Sequence, residues 1–172
     1  MTTQTPDKKE LLASIDEVVT ELQGLMASLD KDEINNIPYE DSWTAAQLFR
    51  HVAKSTAGIG KAMTMDGKTA ERDPGEKIAG FKKTFLDFSH KMKSPDFIVP
   101  EKGPYEKEAI MKELREAFEQ LKEGTTKANL STIVEGLPFG PVTKLEMLHF
   151  AWYHTQRHLH QMRKICDDLS AV

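Results

Sequence analysis

Apolar residues recur at alternating steps of four and three along most of this chain. In the first segment they are Leu11, Ile15, Val18, Leu22, Leu25 and Leu29. That spacing lays them on one stripe of a helix, which turns once in about 3.6 residues. It predicts a bundle helix over residues 6–29. A polar connection follows, with Asn35, Asn36 and Pro38. A second helix is expected over 44–62. Thr44 and Gln47 form a capping box at its start, and Trp43 is placed to staple onto Leu48. Its inward stripe holds Leu48, His51, Val52, Ser55 and Ile59, so His51 points where core residues point.

Residues 64–75 read as a loop, marked by Gly67, Asp73, Pro74 and Gly75. Ile78, Phe81, Phe85, Phe88 and Met92 restore the helical period and predict a helix over 76–93. Pro95, Pro100, Gly103 and Pro104 then break the chain into an irregular crossing. Pro104 can open the next helix, Ile110, Leu114, Phe118 and Leu121 give it a core face, and Gly124 can stop it. This places a helix over 105–124. The tight run Leu137 to Pro141 leads into a last helix over 143–168, opened by a second capping box, Thr143 with Glu146, and by Val142 placed against Met147. No segment shows convincing strand alternation. The expected fold is all-α: a four-helix bundle with an additional helix in the crossover between the second and third bundle helices, read as a single domain over 1–172. A long crossover frees such a bundle from simple up-down-up-down order.

Composition narrows the function classes. Hydrophobic residues make up 39% and charged residues 29% of 172 positions, an ordinary soluble composition. The net charge of -4, with no strongly basic stretch, argues against a nucleic-acid partner. No apolar run is long enough to span a bilayer, so no membrane partner is expected. The first residues carry no apolar signal core, and the single Cys166 suits a reducing cytoplasm. One cysteine also excludes a cysteine-based zinc site.

Candidate chemistry lies in the histidines. His154 and His158 stand four apart, hence on one face of a helix and one turn apart. Met147, Ala151, Gln161 and Ile165 share that face, whereas His149 and His160 fall on the far side of the axis. His90 sits off the Phe stripe of its segment and is expected in solvent. Two imidazoles one turn apart can close on one ion, and His51 can add a third ligand if its helix packs alongside. Three neutral imidazoles leave a divalent ion with open positions, the form of a catalytic site. The alternative is a pair of buried histidines satisfied by ordinary hydrogen bonds. Zincin-type proteolysis is disfavoured, because the position directly after the first histidine is Thr155 and not a glutamate base.

Two stretches carry a family resemblance. Trp43-Thr44-Ala45-Ala46-Gln47-Leu48-Phe49-Arg50-His51 resembles the second-helix signature of the DinB-like family: a Trp, a Ser/Thr cap, a Glu/Gln, then a His. The run from His154 to Gln161 resembles its last-helix signature, a His-x-x-x-His with Gln three residues later. The resemblance implies a four-helix bundle of up-down-down-up topology with a three-histidine metal site. It carries the ligand role to His51, His154 and His158, and a place beside the site to Gln161. It also implies zinc or nickel, and chemistry like that of thiol-dependent S-transferases or a mycothiol-dependent isomerase. Arg157 stands where many relatives place a further His, which argues against copying any one relative's substrate.

Three functions follow. A divalent-metal-dependent enzyme could activate a low-molecular-weight thiol against an electrophilic small-molecule substrate, or activate water for hydrolysis, with the same ligands. A non-catalytic metal-binding module, homodimeric through its surface helices, is the third. No catalytic residue beyond the ligands is assigned. Tyr39, Tyr105 and Tyr153 are candidates to orient a substrate or simply to pack. Cys166 lies eight residues past His158, roughly 12 Å along a helix, too far to share an ion.

Overall fold

The structure is a computed structural model, and it describes residues 7–171. Five α-helices dominate: α1 (Lys8–Ala27), α2 (Ala45–Met63), α3 (Ile78–Phe85), α4 (Lys107–Lys127) and α5 (Lys144–Ser170). The expected start of the first helix at Pro6 lies outside the described residues. Helices α1, α2, α4 and α5 form the bundle, and α3 lies in the crossover between α2 and α4 against α5.

Side-chain pairs fix the directions. Arg50 meets Glu113, and Gly60 meets Leu121, so α2 and α4 run parallel. Asp16 meets Lys122 and Gln23 reaches the Met111 carbonyl, so α1 opposes α4. His51 meets His158 while Lys144 reaches the Met63 carbonyl, so α5 opposes α2. The order is therefore up-down-down-up.

Both capping boxes form, at Thr44 with Gln47 and at Thr143 with Glu146. Three further helix ends are closed by the opening lysine of an antiparallel neighbour. Lys8 donates to the Ala128 carbonyl at the end of α4, Lys107 to the Ala27 and Leu29 carbonyls past α1, and Lys144 to the Met63 and Met65 carbonyls past α2. A cation is favoured at these ends because the last turn leaves carbonyls unpaired and partly negative. The core is the apolar stripes meeting: Leu11, Ile15, Leu22 and Met26 of α1, Leu48, Val52 and Ile59 of α2, Leu114 and Leu121 of α4, Met147, Met162 and Ile165 of α5.

The structure corrects several boundaries. Helix α3 ends at Phe85, not near 93. Asp87 turns its carboxylate onto the Ser89 amide and hydroxyl, and Arg157 takes the carbonyls of Phe85, Asp87 and His90. The Ser89 amide, which a continuing helix would aim at the Phe85 carbonyl, is thus taken by the Asp87 side chain. Phe88 and Met92 are exposed rather than on a core stripe. Pro104 does not open α4, whose cap is Glu106. Gly124 does not stop α4, which continues to Lys127. Its role is close approach: an added Cβ would lie 3.1 Å from the Met63 Cβ and 3.2 Å from the Gly60 carbonyl oxygen. Gly124→Val should therefore lower stability by about 2 kcal/mol through overpacking, visible as a melting midpoint lower by several degrees. An unchanged midpoint would show that α2 and α4 can separate freely. A two-residue hairpin, β1 (Ile133–Val134) with β2 (Val142–Thr143), precedes α5. Strands this short carry no alternation to detect.

Candidate metal centre

Capping at Thr44 sets the phase of α2, and that phase buries His51 among Leu48, Val52 and Ser55. Helix α5 brings His154 and His158 to the same place. Their Nε2 atoms form a triangle: 3.1 Å from His51 to His154, 2.9 Å from His51 to His158, and 3.1 Å from His158 to His154. All three residues are buried.

The far side of two rings settles what faces inward. His51 Nδ1 lies 2.9 Å from the Ile98 carbonyl, which can only accept, so that nitrogen carries the proton. His158 Nδ1 lies 2.9 Å from Gln161 Oε1, likewise the proton donor in that pair. Both Nε2 atoms then present lone pairs to the triangle's centre. Lone pairs facing one another at this distance repel unless a proton or cation lies between them. Burial disfavours a charged imidazolium there, and a neutral His154 presents either an N–H or a lone pair to the other two rings. Burial pushes the His154 pKa well below its ordinary value, and that of His158 down to about 3, with His51 close by adding to the effect. His51 is lowered too, by burial first, against the opposing bond to Ile98. Uncharged imidazoles converging through Nε2 are a donor set that suits a divalent ion. The three could hold one metal ion.

Aromatic rings fix the imidazoles. Trp43 packs on His51 at 4.8 Å and faces His158 at 6.4 Å. Phe150 stacks on His154 at 5.3 Å, and Phe85 meets the same ring edge-on at 6.3 Å. The three histidines line a cavity of about 1220 Å³ shared by α2, α5 and the crossover segment. Gln161 lies beside His158. His149 is buried elsewhere, against the Leu145 carbonyl, and His160 stacks on Phe88, so neither joins the triangle. His90 is exposed and pairs with Asp87. Tyr39 lines the cavity under the Lys164 ammonium, Tyr105 donates to the Glu101 carbonyl, and Tyr153 is buried against His149 and Trp152. Cys166 is a half-buried free thiol whose pKa burial raises.

The profile of the DinB superfamily matches residues 14–162. The chain belongs to the DinB superfamily. Among solved structures, TT2238, described as a four-helix bundle protein, superposes with a TM-score of 0.60 at 18% identity, over 92% of this chain and 99% of that one. A conserved protein from Enterococcus faecalis superposes with a TM-score of 0.69 at 15% identity, over 98% and 99%. At such identities these likenesses concern the fold alone. None of the curated proteins compared matches the chain. Among the described residues, no helix is long and apolar enough to cross a membrane.

Three contributors escaped sequence reasoning. The Ile98 carbonyl comes from a 3-10 turn, Asp96–Ile98, far from α2 in the chain, and a backbone acceptor leaves no side-chain signal. The contact of Trp43 with the histidines goes beyond its expected staple. Arg157 pins the crossover beside the site. Gln161→Leu should weaken zinc binding about 10–100-fold, the usual cost of losing a ligand's orienting partner. Competition against a chelating dye would measure it, and an unchanged affinity would show that Gln161 does not orient His158.

Acid should also destabilise the metal-free protein. The buried histidines stay neutral in the fold, while the unfolded chain protonates them near pH 6.5. Unfolding then takes up protons, so stability present above pH 6.5 is lost as pH falls toward the folded values. The loss is up to about 1.4 kcal/mol per pH unit for each histidine that stays neutral. Urea unfolding between pH 7 and 5 tests it, and a flat profile would contradict burial of neutral rings.

Proposed function

We propose that the chain is a divalent-metal-dependent enzyme of thiol S-transferase type, with His51, His154 and His158 as the ligands. The convergence of the three Nε2 atoms on the wall of an open cavity carries this reading. A bound divalent ion would supply Lewis acidity, lowering the pKa of a thiol held against it. Zinc is the first choice for imidazole donors, with nickel next.

The chain's own residues do the rest. Ile98 and Gln161 hold the ligand tautomers. Trp43, Phe85 and Phe150 pack on the imidazoles, keep the rings in place and give the triangle an apolar surround. That apolar surround, together with the preference of zinc for soft sulfur ligands, supports a thiol over water as the activated group, hence transfer over hydrolysis. The open cavity at the histidines supports an enzyme over a module whose histidines only staple helices, for which a closed, packed cluster is expected. A cytoplasmic enzyme working with a low-molecular-weight thiol and a small electrophile fits the scheme.

The test is conjugation of a small thiol to 1-chloro-2,4-dinitrobenzene by zinc-loaded and metal-stripped protein. Conjugation well above background only in the loaded form is expected. Equal rates in both forms would reject the mechanism.

A further inference from the structure

Among the described residues, six large hydrophobic side chains are exposed: Ile37, Met65, Phe88, Met92, Phe97 and Val99. Four of them, Phe88, Met92, Phe97 and Val99, come from the crossover segment, and these four line the cavity that holds the histidines, while Ile37 and Met65 do not. Exposed apolar groups gathered in the lining of one cavity mark a surface that a ligand or partner covers.

The wall is fixed to the metal centre. Lys54 donates to the Val99 carbonyl, Arg157 to those of Asp87 and His90, and His51 to that of Ile98. Phe97 is thus the direct neighbour of the residue that orients His51. Phe85, Phe139 and Phe150, which line the same cavity, form an aromatic cluster, with the Phe85 and Phe139 ring centroids 4.9 and 5.1 Å from that of Phe150. A ligand whose reacting group lies at the histidines would place its body against these apolar surfaces.

We infer that residues 88–99 are the recognition wall for the apolar body, aryl or medium-chain alkyl, of the small-molecule substrate; this rests on the enzymatic reading above. The specificity of the site would then be set by the apolar body and by the crossover, while the histidines set only the chemistry. The continuity of the wall with the histidine cavity is what selects a small molecule over a protein partner.

The experiment measures binding of straight-chain alkanols, butanol to octanol, and of the matching alkanethiols, to zinc-loaded and metal-free full-length protein by calorimetry. Each added methylene should raise affinity about fourfold until the cavity is filled. In the Met92→Ser/Phe97→Ser variant the increment should fall below about twofold, with helicity and zinc content retained, because both side chains are exposed. A flat series in wild type, or a wild-type increment in the variant, would overturn the inference. So would a wild-type dimer that the double substitution converts to monomer without moving the increment, since the wall would then cover a second copy. If the alkanol increment is present but alkanethiols bind equally with and without zinc, the wall stands and the metal reading fails.

Discussion

His154→Ala is expected to lower zinc affinity by more than ~100-fold, beyond the ~10–100-fold typical of losing an orienting partner alone, and to abolish metal-dependent turnover. Helical content should change little. The bundle is held by apolar stripes from four helices, and His154 contributes one ring at the cavity's edge, against Phe85 and Phe150. The remaining pair, His51 and His158, keeps its orienting bonds but lacks the third donor. Metal content after dialysis, read beside circular dichroism, checks both halves. A variant that retains stoichiometric zinc would show that His154 is a structural histidine.

Arg72→Ala should carry the largest stability cost, about 3 kcal/mol. Glu146 is fully buried and accepts two bonds from Arg72, at 2.9 and 2.7 Å, besides the amides of Thr143 and Lys77. It therefore joins the cap of α5 to the loop that leads into α3. Burial alone would push its pKa up, but Arg72 and the two amides outweigh that and hold it below the ordinary value. In wild type the pair thus stabilises the fold above the unfolded pKa, and that stability is lost as pH falls through the folded one. Removing Arg72 leaves burial opposed only by the amides. If burial then wins, the sign inverts and stability falls as pH rises through the weakly acidic range. Denaturation curves at two pH values decide it. A cost below about 1 kcal/mol would mean that water reaches the carboxylate, as at a surface pair.

The features legible in the sequence were those with a local period or a local cap. The three/four spacing located all four bundle helices, and Thr44 with Gln47 and Thr143 with Glu146 marked two starts to the residue. The His154–His158 pair was legible for the same reason, since both lie on one continuous helix. Pairing them with His51 needed the packing of α2 against α5, which periodicity alone does not state; the family resemblance supplied it. The extent of α3 was misread because Phe88 and Met92 keep the helical period while serving another surface, and because the Asp87 carboxylate takes the Ser89 amide while Arg157, far along the chain, holds the carbonyls that follow α3. Gly124 read as a stop because a glycine late in a helix has two uses, and only the position of Met63 and Gly60 tells them apart. The Ile98 carbonyl had no side-chain signal at all.

The central claim is that three imidazoles share one ion. X-ray absorption at the zinc edge of the loaded protein tests it most directly. The account predicts one zinc per chain with three imidazole nitrogens at about 2.0–2.1 Å and a light oxygen donor, replaced by sulfur at about 2.3 Å when a small thiol is added. Two or fewer imidazoles, or the same spectrum from His51→Ala protein, would contradict it.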